Sequence, residues 1–368
     1  MKKNLLFSLL AFTMVTFIIF TIIISIIFID LKNAKNRGES GKKIFIENKI
    51  ISRIFYDKNW SRVITELSKR RGGSFSTTWN YNGNILLSKS LHKTESMYGK
   101  EKYTILPNIS VSNMRIWTGT YYQRLITNVD KNLLSILKDC TIITDVVYNT
   151  DLNGFKITYD TGLNPKLTLF VLGDSFTEGL WVKSDETFSS IFTKNIHRNI
   201  KIPIKTYNLG VRGYSVLESS FLFDKYYQKL NPDMVILNLF INDVDENYYN
   251  VMINKDIDEN AYREMFFYIK NISDNCKKND ITFFVSIIPA KGQLNSEVEL
   301  FFQNNVMNWS RKEGIKTFNP YQYFKDVGFE NIYFPWDPHF SADGHSHYAN
   351  FLEKNIIKTL KERINENQ

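Results

Sequence analysis

The hydrophobic pattern changes character twice along the chain. Leu5 to Ile29 is a run of 25 residues without a charge, preceded by Lys2 and Lys3. That length spans a bilayer. It exceeds a signal-peptide core, and no small-x-small cleavage site follows, so residues 1–30 are predicted to be an uncleaved N-terminal transmembrane anchor. Lys32, Lys35, Arg37, Lys42 and Lys43 after the run favour a cytoplasmic C-terminal part by the positive-inside count. The very short tail ahead of a signal-like segment favours export. Export is favoured, so a single-pass anchor with the main domain outside the cytoplasm is expected.

Residues 31–149 read differently. Asp30 to Lys43 is a polar, charged linker. Ile51, Ile54, Phe55, Trp60, Val63 and Leu67 form a partial apolar stripe at helical spacing between Ile44 and Arg71. Ser74 to Ser88 alternates around Asn82-Gly83, which signals a hairpin. Ile105 to Val129 is aromatic and β-branched without a clean period. Together they suggest a small accessory α+β region, and Asn153-Gly154 marks a further turn just beyond it.

From Leu167 the pattern becomes regular. Leu167–Leu172 is an apolar run ended by Gly173, as expected of a strand buried on both faces. A helix over about Glu186–Ile196 leads to a second strand near Lys205–Leu209. Ser215 and Glu218 make a capping box for a helix to about Leu230, where Asn231-Pro232 stops it. Met234–Phe240 is the third strand. Tyr262, Met265, Phe266, Ile269, Ile272 and Cys276 recur at helical spacing. Ile281–Ile288 is the fourth strand, followed by a helix over about Glu297–Lys312, a short fifth strand near Lys316–Phe318 and a last helix over about Asp343–Arg363. Five strands alternating with helices predict a parallel sheet covered on both faces over residues 150–368.

Composition adds little to this picture. The 368 residues are 43% hydrophobic and 15% aromatic, enough for a sizeable core, and the formal charge of +8 is spread without a basic face. Nothing resembles a nucleic-acid module. Cys140 and Cys276 lack metal spacing; Cys276 fits the buried face of its helix, and pairing between the two is not readable from sequence.

The topology carries the chemistry. Open parallel sheets hold ligands at the carboxyl ends of their strands. Ser175 follows the first strand, Gly213 the second and Asn242 the third, while Asp337 and His339 lie beyond the fifth. A serine hydroxyl needs a base within hydrogen-bond reach to act as a nucleophile, and an imidazole oriented by a carboxylate supplies one. Metal binding by His339, His345 and His347 is the competing idea, but His345 and His347 face apart on a helix and no carboxylate-rich loop is present.

GDSFTEG at 173–179 resembles the first block of the SGNH (GDSL-type) hydrolase family. Gly213 in NLGVRGYS, Asn242 in FIND, and Asp337 with His339 in DPHFSADGH follow in the family's order, so the resemblance covers Tyr148 to the C-terminus. Asp151 to Lys156 also resembles the N-x-x-GFR segment of many anchored SGNH proteins. The resemblance implies a three-layer, flavodoxin-like sheet. It implies Ser175 as nucleophile, His339 as base and Asp337 as its partner, with an oxyanion hole from the N–H groups of Ser175 and Gly213 and the Asn242 amide. It further implies a membrane-anchored envelope enzyme without a cofactor, a serine esterase or acyl-transfer enzyme acting on acyl esters, O-acetyl included, of a cell-envelope glycan or lipid. Two departures stand out: Phe240 replaces the glycine of the usual G-x-N-D, and D-x-H replaces the frequent D-x-x-H. The alternative from another class is a catalytically silent glycan-binding protein that uses the same cleft.

Overall fold

The computed structural model describes residues 75–81, 84–87, 92–118, 141–143, 146–162, 164–244, 259–294, 300–328, 332–334 and 338–366. Two compact units divide them. The smaller takes 75–79, 85–87, 115–118 and 141–143, and the larger takes the remainder.

The larger unit is built on a five-stranded sheet. Its strands are β8 (Leu167–Leu172), β9 (Ile204–Asn208), β10 (Met234–Leu239), β11 (Thr282–Ile287) and β12 (Thr317–Phe318). They run parallel in the order β12-β11-β10-β8-β9. In chain order this is 2-1-3-4-5, a doubly wound sheet whose strand order reverses between β8 and β10. Every residue of β10 is buried, and β8 is buried except at Thr168, as expected of central strands with helices on both faces. Strand β9 alternates buried and half-exposed positions because it is an edge.

The five helices read from the sequence beyond Leu167 are present, together with three short ones that it did not signal. Helix α1 is a single turn, Ser175–Glu178, and α2 is Phe188–Ile200. Helix α3, Val216–Leu230, starts at the Ser215/Glu218 capping box, with Glu218 accepting from the Ser215 N–H at 2.8 Å. It ends at Asn231 in the left-handed region. Helix α4, Glu259–Lys278, buries Tyr262, Met265, Ile269, Ile272 and Cys276 on one face. Burial raises the Cys276 thiol pKa, as befits a core thiol. Helices α5 (Lys291–Leu294), α6 (Phe301–Glu313), α7 (Tyr321–Val327) and α8 (Ala342–Glu366) complete the unit. Tyr348 on α8 donates to Asn238 Oδ1 at 2.7 Å, and Asn238 Nδ2 donates to Leu172 O at 3.0 Å. This buried polar staple ties the last helix to the two central strands beside the site.

Within the same unit, β3 (His92–Met97) and β4 (Lys100–Ile105) form an antiparallel hairpin. Tyr98 and Gly99 turn it, both at positive φ. The hairpin is pinned to α3 and α4. Tyr98 OH donates to Asp224 at 2.7 Å, Lys102 pairs with Glu218 at 2.6 Å, Lys225 pairs with Glu95 at 2.6 Å, and the Tyr98 ring stacks on Tyr268. The hairpin expected around Asn82-Gly83 is the pairing of β1 (Phe75–Tyr81) with β2 (Asn84–Leu87), and the remaining strands are β5 (Ser110–Thr118), β6 (Thr141–Ile143) and β7 (Tyr148–Asn149). The helix expected over 44–71 and Cys140 lie outside the described residues.

The membrane-anchored form is corrected. Leu5 to Ile29 lies outside the described residues, and among the described residues no helix is long and apolar enough to cross a membrane. Crossing takes about 20 consecutive apolar residues. Helix α8, the longest described at 25 residues, is interrupted by Asp343, Glu353, Lys354, Lys358 and Lys361. The described fold is the parallel α/β sheet, and among the described residues it includes no transmembrane helix. The single-pass localisation, the membrane contact and the anchored subtype expected from the N-terminal run find no support among the described residues.

Candidate active site

The site is organised by the turn after β8. Gly173 has φ +147, and a Cβ there would meet Thr177 Oγ1 at 2.4 Å and the Asn238 carbonyl oxygen at 3.0 Å. Only glycine fits so close an approach. Asp174 then caps α1, its Oδ1 accepting from the Phe176 N–H at 2.9 Å. Ser175 is the first residue of that turn, and Gly179 closes it with its N–H on the carbonyls of Ser175 and Phe176. Asn208, at the end of β9, donates to Thr177 O at 2.7 Å and fastens the turn to the neighbouring strand. The serine is thereby held at the carboxyl edge, beside the point where strand order reverses.

His339 reaches the same point from the segment before α8. Phe334 N–H donates to His339 O at 3.0 Å and Ser341 N–H to Ile332 O at 2.9 Å, with Tyr333 and Phe340 bridged between them. Phe340 is fully buried against Phe176, Phe324 and Tyr348. This short pinned ribbon aims the imidazole at Ser175: Oγ and Nε2 are 2.7 Å apart, across 164 residues of chain. Asp337 lies outside the described residues.

Asn242 follows β10 in the short 3-10 turn Ile241–Asp243, which Asp243 closes by accepting from Phe240 N–H at 2.8 Å. Asn242 Nδ2 donates to Asp174 Oδ2 at 3.2 Å. Nδ2 carries two protons, and Asp174 takes one. Burial raises the Asp174 pKa, although the Phe176 N–H, His339 and Asn242 partly offset it. Burial and then the nearby Asp174 hold the Asp243 carboxyl well above its usual range.

Gly213 follows β9, at φ +74. Its loop is joined to α1 by a buried ion pair. Glu178, three residues after the serine, accepts from the Arg212 N–H at 2.7 Å and from the Arg212 guanidinium, Nε standing 3.1 and 3.2 Å from its two oxygens. Burial alone would raise the Glu178 pKa; Arg212 and Lys156 outweigh it and hold the carboxylate below its usual value. The structure thus joins Ser175 to His339 directly, to Asn242 through Asp174, and to the Gly213 loop through Glu178.

The other clustered histidines have different surroundings. His345 is buried; its Nδ1 accepts from the Phe188 N–H at 3.2 Å and its ring stacks on Phe188. Burial, then Lys156 and His339, hold its pKa well below the usual histidine value. It is a neutral cap for α2. His347 lies beside Tyr323. Among the described residues, no group of three or more His, Cys, Asp or Glu could hold a metal ion.

Lys156 is a site residue to which the sequence reading gave no role, beyond its place at the end of the segment that resembles N-x-x-GFR and carries the Asn153-Gly154 turn. Its Nζ donates to Gly179 O at 2.8 Å and Val182 O at 2.9 Å, at the end of α1. Burial lowers its pKa to about 7, against the attraction of Glu178. The unfolded chain therefore binds more protons than the folded one above about pH 7, and the Lys156 contribution to stability should grow as pH rises. Urea unfolding at about pH 7 and about pH 9 should show a larger gain for the parent than for Lys156→Met, which has no proton to release. Equal gains would mean that Lys156 keeps an ordinary pKa in the fold.

A serine hydroxyl bonded to an imidazole at the carboxyl edge of a doubly wound sheet places the protein in a class, the α/β serine hydrolases. The particular relationship is that residues 171–347 match the GDSL-like Lipase/Acylhydrolase family. This match gives family-level support for an esterase or acylhydrolase. Similar solved structures include a lipase/acylhydrolase from Enterococcus faecalis (13% identity, 52% of this chain and 96% of that one, TM-score 0.41). A psychrotrophic esterase from Pseudoalteromonas (14%, 53% and 98%, 0.41) and a lipolytic G-D-S-L family member from Veillonella parvula (14%, 51% and 97%, 0.40) are others. No curated protein matches the chain.

Proposed function

We propose that the protein is a serine esterase or acyl-transfer enzyme acting on acyl esters, O-acetyl included, of a glycan or lipid. The observation that carries this reading is the 2.7 Å contact between Ser175 Oγ and His339 Nε2. His339 takes the hydroxyl proton as Oγ attacks the ester carbonyl. Asp337, two residues earlier, orients the imidazole and stabilises its charged form. The developing oxyanion is met by the N–H groups of Ser175 and Gly213 and by the Asn242 amide. Ser175 opens α1, where a backbone N–H has no intrahelical acceptor. The alcohol leaves with the proton from His339, and an acyl-serine remains. Water then completes hydrolysis, or a sugar hydroxyl completes transfer, and the same histidine serves as base.

A panel of acetylated and longer-chain acyl sugars and lipids, read separately for free acid and for transferred acyl group, tests the proposal. Asn242→Ala should lower kcat by about two to three orders of magnitude with little change in KM, the loss expected when one oxyanion donor is removed. A loss confined to KM would make Asn242 a ground-state binding residue. No turnover of any ester on the panel, with no labelling by a serine-directed phosphonate, would overturn the proposal.

A further inference from the structure

We propose that Tyr103, on the β3–β4 hairpin, is a positioning residue that aims the Gly213 N–H at the oxyanion; this rests on the esterase reading above. One peptide group sets the geometry. The carbonyl of Arg212 and the N–H of Gly213 belong to the same planar trans unit and point in opposite directions. Holding the carbonyl therefore sets where the N–H points. Tyr103 OH donates to the Arg212 carbonyl across 109 residues of chain. The preceding peptide is held as well, by the Arg212 N–H on Glu178 Oε2 at 2.7 Å. Gly213 N–H itself donates to no backbone carbonyl among the described residues.

The approach is close. A Cβ at residue 213 would meet the Tyr103 hydroxyl at 3.0 Å, and φ +74 disfavours a side chain there in any case. The phenol is itself anchored. Tyr214 OH donates to the Tyr103 carbonyl, the two rings lie 5.9 Å apart, and the neighbouring Lys102 pairs with Glu218. Burial, then the nearby Glu178, push the Tyr103 pKa up to about 12, so the hydroxyl keeps its proton through the working range. A donor on the carbonyl also polarises the peptide and strengthens the N–H at its other end. The hairpin lies outside residues 171–347. A segment beyond the family match thus supplies the alignment of a donor within it.

The test uses the full chain and Tyr103→Phe, which removes one oxygen. With an acetyl ester, kcat should fall about tenfold and KM should change less than about twofold, since a misaligned donor forfeits part of what an absent one loses. Affinity for a small alkylboronic acid, which forms a tetrahedral anion on the serine oxygen, should fall by the same factor as kcat. Tyr214→Phe releases another of the hairpin's tethers without touching the Arg212 carbonyl and should lose clearly less. Selective 15N-glycine labelling needs no turnover, and the Gly213 amide resonance should move in Tyr103→Phe. Parental kcat in Tyr103→Phe, an equal loss in Tyr214→Phe, or an unmoved Gly213 resonance would each overturn the assignment. If the parent neither turns over esters nor binds the boronic acid, the esterase reading fails, and the Gly213 resonance still decides whether Tyr103 holds that peptide.

Discussion

Ser175→Ala should abolish turnover of small acetyl esters and leave the fold intact. The change removes one oxygen from a residue that is 7% exposed. What is lost is the bond to His339 at 2.7 Å, worth about 1 kcal/mol to stability. In the proposed mechanism the same oxygen forms the acyl intermediate, so the variant has no atom to carry the acyl group. A serine-directed phosphonate should label the parent and not the variant. His339→Ala should be nearly as damaging, and the double variant hardly worse than either, because residues that act as a unit are not additive in their losses. His345→Ala should instead lower thermal stability, since it removes the acceptor of the Phe188 N–H. Full activity in Ser175→Ala, or a catalytically dead but fully stable His345→Ala alongside an active His339→Ala, would place the nucleophile or the base elsewhere.

The second large effect is expected at the Glu178–Arg212 pair. Glu178 is fully buried, and Arg212 keeps 17% of its side chain exposed. Two buried charges gain little net stability from being paired, but stranding one of them is costly. Arg212→Met would leave the Glu178 carboxylate in the core with Lys156 as its remaining countercharge. A loss of about 3 kcal/mol is expected, the lower end of the range for breaking a buried pair because Arg212 is partly solvated. Adding Glu178→Gln to Arg212→Met should recover much of that loss, since no charge is then stranded. Chemical denaturation of the parent, the single and the double variant measures it. A double variant as unstable as the single one would show that the pair acts through packing and not through charge. The pair also links α1 to the loop of Gly213, so Arg212→Met should slow turnover even where it remains folded.

Much of the sheet was legible because its signals are local. An apolar run ended by glycine, a Ser215–Glu218 capping box and an Asn-Pro stop each act within a few residues, and each falls on an observed boundary or within about two residues of it. The order of the blocks on alternating strands and helices was enough to send Ser175, Gly213, Asn242 and His339 to one edge, because parallel connections return each strand to the same side. The long apolar run Leu5–Ile29 was legible too, but it lies outside the described residues, and among the described residues no helix is long and apolar enough to cross a membrane.

The tertiary structure alone decided which histidine meets the serine. His339 and His345 are six residues apart and carry the same ring; the ribbon pinned by Phe340 turns one toward Ser175, and α8 buries the other against Phe188. It also decided that Glu178, Arg212 and Lys156 form one buried cluster and that Tyr103 reaches the Arg212 carbonyl. No periodicity or spacing encodes such contacts. They join segments tens to more than a hundred residues apart, and their strength comes from burial, which exists only once the sheet, its helices and the β3–β4 hairpin have closed over them.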